Sequence, residues 1–422
     1  MARHFYSLIW LFFSPLLFAR LWWRGRRAPA YRQRWAERIG FYQGKAAEQC
    51  IWVHAVSVGE TLAAAPLIEA LLTQYPQCPV LVTTTTPTGS ERVQALFGDR
   101  VLHVYAPWEL PGAIARLFRA FNPKMVLLLE TELWPNIVAA AARRDVPVLL
   151  LNGRLSEKSQ RGYARVPALV TPMLNAMTML AVQTDDDARR FKMLGARDEQ
   201  VTVTGSVKFD IEVAPEMVAL ARQWRDSVGR PVWIAASTHA GEDEKVLQAH
   251  RRLLQAQPNA LLILVPRHPE RFNAVARLIR TQDFSLARRS EAQYPAAEIS
   301  VYLCDTMGEL MQLYGFADVA WVGGSFVPVG GHNFLEPAAW QLPLLSGPHL
   351  HNFAFIAELL QQAGALQLVN SGNGLGDMLV ELFSDALRRQ QMGSAAQGVL
   401  AAHKGALQRV VSVVSSSWDK SP

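Results

Sequence analysis

Cysteine is scarce in this sequence. Cys50, Cys78 and Cys304 are the only three in 422 residues, odd in number and far apart. That excludes a disulfide scaffold or a cysteine-built metal site and fits a reducing compartment. There is no G-x-G-x-x-G fingerprint and no G-x-x-x-x-G-K-[ST] loop, which argues against NAD-dependent dehydrogenases and P-loop ATPases. A G-x-S-x-G elbow is missing, which lowers the hydrolase option. No H-x-x-x-H pair or carboxylate cluster has metal-ligand spacing, so neither a metal nor another cofactor is expected. Long apolar runs are few, and the mean hydropathy of +0.07 excludes a multi-span membrane protein. With half the residues hydrophobic and 18% charged, disorder is excluded as well.

What the chain has is a basic excess, 42 Lys and Arg against 36 Asp and Glu. Its partner is therefore expected to be anionic: nucleic acid, lipid or a phosphorylated substrate. The first forty residues decide between them. Phe5 to Leu21 is one apolar stretch broken only by Ser7, Ser14, Pro15 and Arg20. Trp22, Trp23, Arg24, Arg26, Arg27, Arg32, Arg34 and Arg38 follow it, the composition of a membrane interface. No small-residue cleavage site suggests a removable signal peptide. A signal-anchor with its basic flank in the cytoplasm competes with a helix lying in the interface. The run reads as apolar all round, which favours the anchor. Anionic inner-membrane lipid, not nucleic acid, is the expected partner of this segment.

From Ile51 onward, short apolar runs alternate with amphipathic segments. The expected strands are 51–57, 79–84, 101–105, 125–130, 146–152, 179–184 and 201–205, then 232–237, 261–266, 300–304, 318–325 and 342–347. Such runs between helices predict parallel strands covered on both faces, in two consecutive doubly wound α/β halves. Asp210 to Pro215 is the expected linker. The domains are then 1–38, a membrane helix with its basic segment; 39–210; and 211–422.

Ligands of such sheets bind beyond the carboxyl ends of the strands. The turns there are rich in Gly, Ser, Thr and carboxylates. Gly323–Ser325 and Gly330–Pro337 are two adjacent glycine-rich turns, suited to close backbone approach to a phosphate, with Asn333 as an N-cap and Glu336 able to accept a ribose diol. Arg267, at a strand end, suits a phosphate or base carbonyl; equally, Arg267 and Arg271 suit surface pairs with Glu270, and His268 a structural role. Glu60 opens a helix after the first strand, and Glu130 ends the strand of 125–130. Two carboxylates at neighbouring strand ends suit acid–base chemistry. By spacing alone, a helix N-terminal carboxylate for Glu60 and a ligand of backbone N–H groups for Glu130 are the readier readings.

The motifs V-S-V-G-E-T, T-P-T-G-S-E-R, E-T-E-L-W-P-N, G-S-V-K-F-D, S-T-H-A-G-E, V-P-R-H-P-E-R-F, D-T-M-G-E-L and V-G-G-S-F-x-x-x-G-G-H-N stand in one order along the chain. With the R-x-P-x-Y-R-x-R-W-x-E-R-x-G-F-Y exit from the apolar run, the sequence resembles the 3-deoxy-D-manno-octulosonic acid (Kdo) transferases of Gram-negative lipopolysaccharide assembly, almost to its C-terminus. The resemblance implies a GT-B fold, two Rossmann-like domains facing each other across a cleft, acceptor on the N-terminal side and CMP-Kdo on the C-terminal side. The acceptor would be a lipid A precursor, lipid IVA, at the cytoplasmic face of the cell inner membrane. Glu60 falls on the family's base, implying inverting single displacement, and Glu130 on its second carboxylate. CMP contacts fall on Pro266, Arg267, Met307, Gly308, Glu309, Asn333, Phe334, Leu335 and Glu336; Phe334 stands where a smaller aliphatic side chain is common. Arg92, Arg154, Lys158 and Arg161 are candidates for the phosphorylated acceptor headgroup, or plain surface charge. The alternatives are a nucleotide-sugar epimerase, which would need no anchor, and a non-catalytic lipid- or nucleotide-binding protein.

Overall fold

The central strands are buried on both faces, which is why their sequences read as unbroken apolar runs rather than alternations. The computed structural model describes residues 1–42, 47, 49–291 and 294–419. It divides into two units, Met1–Asp210 with Lys404–Pro422, and Ile211–His403.

The first unit carries β1 (Cys50–His54), β2 (Val80–Thr84), β3 (Leu102–Tyr105), β4 (Pro123–Leu129), β5 (Val148–Gly153), β6 (Met179–Val182) and β7 (Val201–Val203). They pair in parallel in the order β3-β2-β1-β4-β5-β6-β7. Alternate residues of β1 feed opposite cores: Cys50 and Trp52 pack with Leu117 and Ile137, whereas Ile51 and Val53 pack with Leu67 and Leu71. The second unit carries β8 (Val232–Thr238), β9 (Leu261–Pro266), β10 (Leu286–Arg288), β11 (Val301–Leu303), β12 (Val319–Val322), β13 (Leu344–Ser346) and β14 (Leu366–Leu368). Their order is β10-β11-β9-β8-β12-β13-β14, again all parallel. Each sheet reverses its direction of growth once, between β1 and β4 and between β8 and β12. Loops part there, so each reversal opens a crevice at the strands' carboxyl ends.

Two expectations need correction. The second unit does not run to residue 422. From Lys404 the chain returns to the first unit, where the helix Ala406–Trp418 buries Ala406, Val410 and Val414 in the core around Ile68 and Leu127. Asp210 fixes the return, its carboxylate accepting the N–H groups of Gly405 and Leu407, each at 2.6 Å.

Nor is the N-terminal apolar run alike all round. It forms one helix, Ala2–Arg24, long and apolar enough to cross a membrane. Its half-buried residues, Arg3, Tyr6, Ser7, Trp10, Ser14, Leu17, Phe18 and Leu21, recur at helical spacing and make one stripe. That stripe lies on the first unit. Arg3 and Ser7 hydrogen-bond Asn136 at 3.2 and 3.1 Å, Trp10 meets Trp134 at 6.3 Å, and Phe18 meets Trp108 at 4.5 Å and Trp35 at 5.4 Å. Phe5, Leu8, Ile9, Leu11, Phe12, Phe13 and Leu16 face outward, exposed.

Candidate active site

Glu60 stands at the first sheet's reversal. The helix Val58–Gln74 opens directly after β1, with Ser57 as N-cap accepting the Glu60 N–H at 3.3 Å. The Glu60 carboxylate reaches back, accepting the Val56 N–H at 2.8 Å and the Ser57 hydroxyl at 2.9 Å. This is a variant of the capping box, the carboxylate taking the N–H one residue before the cap rather than that of the cap itself, so the structural reading of Glu60 is real. It also aims the carboxylate at the crevice and buries it to 8% exposure. Burial pushes its pKa up to about 7; the charges of Glu132 and Glu130 push the same way, and the two hydrogen bonds only partly offset them. A carboxylate poised near neutrality is what general base chemistry at neutral pH needs.

Glu130 closes β4, its N–H donating to the Leu151 carbonyl at 3.0 Å on the neighbouring strand. Its backbone is left-handed, φ 55°, an uncommon state for a side chain of this kind. Among the described residues the carboxylate accepts no backbone N–H group; it pairs with Lys208 at 2.9 Å. Lys208 sits in the short turn Val207–Phe209, which Asn152, fully buried and itself left-handed at φ 53°, holds by accepting the Val207 N–H at 3.3 Å. Two residues of this cluster escaped the sequence reading. Lys208 lies far along the chain, beyond β7, and its turn is held against Asn152 on β5, the strand beside β4. Glu132, whose pKa burial raises, accepts the Trp134 indole N–H; the E-T-E-L-W-P motif contained the signal, a second carboxylate two residues on. Trp134 also meets the edge of His54 at 5.3 Å.

In the second unit, the glycine turn after β12 is not free to cradle a phosphate. Glu242, fully buried, fills it from within, accepting the N–H groups of Gly324 at 2.8 Å, Ser325 at 2.9 Å and Phe326 at 2.8 Å, besides that of His239 at 2.8 Å. Carboxylate and nest satisfy each other. The other turns remain open. Arg267 follows β9, exposed, and its guanidinium has no partner among the described residues. Arg271 pairs not with Glu270 but with buried Asp243, and donates to the Thr238 carbonyl at 2.7 Å. Met307 and Gly308 follow β11, Met307 58% exposed; Glu309 is tied to Arg289 at 2.8 Å and to the Thr306 hydroxyl, which hold its carboxyl below the ordinary range. Asn333 accepts the Leu335 N–H and donates to Glu336, both at 3.0 Å. It stands one residue before the cap of the short helix Leu335–Ala339. Phe334 and Leu335 are buried in the core, backbone and side chain alike.

Arg92, Arg154 and Lys158 are exposed on the first unit without ion pairs among the described residues, and Arg161 pairs with Glu157 at 2.6 Å. Arg154 directly follows β5, at the same end of the sheet as Glu60 and Glu130. Among the described residues, no group of three His, Cys, Asp or Glu side chains is arranged to hold a metal ion.

Two Rossmann-like units in one chain are a GT-B-like architecture. The chain is similar to a glycosyltransferase from Rickettsia africae (15% identity, 90% of this chain and 100% of that one, TM-score 0.54). It is also similar to UDP-GlcNAc 2-epimerase from Neisseria meningitidis (13%, 87% and 99%, TM-score 0.57). At these identities the likeness shows the fold alone. Sequence goes further. Residues 33–211 match the family described as 3-deoxy-D-manno-octulosonic-acid transferase (kdotransferase). The chain is 41% identical to the 3-deoxy-D-manno-octulosonic acid transferase of Haemophilus influenzae over 98% of both chains. To that of Bordetella pertussis it is 37% identical over 97% of this chain and 98% of the other. It is a glycosyltransferase, and it belongs to the 3-deoxy-D-manno-octulosonic acid transferase family.

Proposed function

We propose that this enzyme transfers Kdo from CMP-Kdo to a lipid A precursor, lipid IVA, in lipopolysaccharide core synthesis, with Glu60 as general base. The observation that carries the mechanism is Glu60 itself, a buried carboxylate with its pKa raised to about 7 at the reversal of the first sheet. A sugar hydroxyl is a poor nucleophile and must lose its proton as the new C–O bond forms. Glu60 takes that proton, the acceptor oxygen bonds to the anomeric carbon of Kdo, and the bond from that carbon to the CMP phosphate oxygen breaks. One displacement inverts the anomeric configuration. Glu130 and Glu132 keep the base's affinity for a proton high, and Lys208 offsets part of the charge of Glu130.

The first unit is the acceptor side and Ile211–His403 the donor side. CMP is held by Pro266 and Arg267, by Met307, Gly308 and Glu309, and by the run Asn333 to Glu336, whose turn Phe334 and Leu335 shape from the core. Arg267, unpaired and exposed, is the natural partner of the single phosphate. Arg92, Arg154 and Lys158 are free to meet the acceptor's phosphates.

The enzyme works at the cytoplasmic face of the inner membrane, a reading supported by the long apolar helix Ala2–Arg24. Its docked stripe supports a helix lying flat in the interface, outward side chains in lipid, over one that spans. At its end, Trp23, Arg24, Arg26, Arg27, Ala28 and Tyr31 line a hollow of about 540 Å³, and Arg26 lies over the Trp22 ring at 4.5 Å. Indole and guanidinium together suit anionic headgroups.

The test is one incubation of detergent-purified protein with CMP-Kdo and tetraacyl lipid A precursor. A product heavier by one or more Kdo residues supports the reading; intact acceptor with consumption of donor to free Kdo, or no consumption, refutes it.

A further inference from the structure

Three histidines gather at the reversal of the second sheet, and the chemistry above uses none of them. His239 follows β8 immediately, His268 follows β9, and His332 ends the Gly330–Gly331 turn beyond β12. The Nε2 atoms of His239 and His332 are 2.8 Å apart, with ring planes 7° from parallel and ring centres 5.1 Å apart. That gap is shorter than the contact distance of rings lying face to face, so the two imidazoles meet edge to edge through one N–H···N hydrogen bond. His268 presents its ring to His239 at 5.2 Å, nearly perpendicular. Neither ring of the pair has another hydrogen-bond partner among the described residues.

The pair is built, not incidental. Gly330 and Gly331, at φ 107° and 78°, bring His332 back over the sheet. A Cβ on Gly324, at φ 67°, would lie 2.9 Å from the His332 ring, so the ring fits only against a glycine. His239 is held by its own N–H, which donates to Glu242. The charged and titratable neighbours are mostly cationic or neutral. Arg267, Arg271 and His268 act on His239 against Glu242 alone, and Arg267, His239 and His268 act on His332. Burial and these neighbours hold both rings below the ordinary histidine range, His332 near 4. The 2.8 Å contact needs one proton shared between the two Nε2 atoms. The Nδ1 edges are left: one N–H donor and one acceptor that becomes a second donor on taking up a proton.

We propose that His239 and His332 form the site that reads the carboxylate of the donor sugar. The proposal rests on the CMP-Kdo reading above. In that donor the anomeric carbon bears both the phosphate ester and a carboxylate, so two anions are separated by a single carbon. A nucleotide site with Arg267 for the phosphate needs a second anion partner beside it. The histidine pair lies at the same sheet reversal: Arg267 is near enough to act on both rings, and Asn333 follows His332 directly in the chain. Neutral hexose donors lack this carboxylate, so the pair would select a 2-ulosonate over them. A desolvated hydrogen-bond partner left empty by the wrong substrate is an effective discriminator.

The test uses His239→Gln and His332→Gln, one at the strand end and one in the glycine turn, so that loss of folding in one leaves the other. Three readouts are compared: melting temperature without ligand, its rise with CMP, and the KM for CMP-Kdo. The proposal expects CMP, which has no carboxylate, to protect the variants as it does the natural protein. It expects KM for CMP-Kdo to rise about 10- to 100-fold, the worth of one hydrogen bond to a charged group. An unchanged KM in a folded variant overturns it. Parallel loss of CMP protection also overturns it, because the pair would then serve the nucleotide. If CMP does not protect the natural protein at all, the nucleotide reading falls first and this proposal with it.

Discussion

Glu242 holds Gly324: its carboxylate accepts the glycine N–H at 2.8 Å from inside a fully buried position. The same carboxylate takes Ser325 and Phe326, so one side chain satisfies the whole turn after β12. Replacing Glu242 by Ala leaves the three buried N–H groups of the turn without acceptors, besides that of His239, each buried one costing about 1–3 kcal/mol. We expect a loss of at least about 3 kcal/mol in urea unfolding. A loss below about 1 kcal/mol would mean that water replaces the carboxylate readily.

The pKa of Glu60 makes two predictions about pH. As a base it must be ionised, so kcat/KM should climb with pH up to about 7 and then level off. Stability should move the other way. The folded pKa lies above the ordinary 4.5, so between 4.5 and about 7 the native state keeps a proton that the unfolded chain has lost. The contribution is present below 4.5 and is lost as pH rises through 7, about 3 kcal/mol in all. Urea unfolding across this range should show that slope in the natural protein and a slope smaller by that amount in Glu60→Gln.

Lys208 compensates the charge of Glu130, which itself raises the pKa of Glu60. Changing Lys208 to Met removes the compensation. The rising limb of the pH–rate profile should then move to higher pH, with kcat reduced at pH 7. An unmoved limb would show that Lys208 acts elsewhere.

A helix lying flat keeps its first residues on the cytoplasmic side, beside Asn136. A cysteine at position 2 (Ala2→Cys) should therefore resist a membrane-impermeant maleimide applied from the periplasmic side. It should react once the inner membrane is opened. Labelling from outside would mean that the helix spans.

Both sheets were legible wherever a strand is buried on two faces, because such strands must be continuous apolar runs: Ile51–Val53, Met125–Leu129 and Leu261–Val265 are examples. The two edge strands β10 and β14 were not. Each has three residues and one neighbour, and Arg288 and Gln367 lie in them, so nothing in their composition demands a strand. Glu60 and Glu130 were visible as carboxylates at strand ends, whereas their electrostatics depends on Lys208 and Glu132, which folding brings near. The glycine turn at 323–325 had the composition of an anion site, and a buried carboxylate 82 positions before Gly324, Glu242, already occupies it. Composition reports that a nest can form, not what fills it. Likewise Ser7 read as an interruption of an apolar run, whereas with Arg3 it meets Asn136 on the docked face of the helix.

The transfer rate of Glu60→Gln tests the central claim most directly. Glutamine keeps the size and most of the hydrogen bonding of Glu60 but cannot take the acceptor's proton. With CMP-Kdo and tetraacyl lipid A precursor at pH 7.5, we expect transfer to fall about 10²- to 10⁴-fold, while melting and CMP protection stay near those of the natural protein. Turnover close to natural in the folded variant, or a product with retained anomeric configuration, would contradict Glu60 as the base of a single displacement.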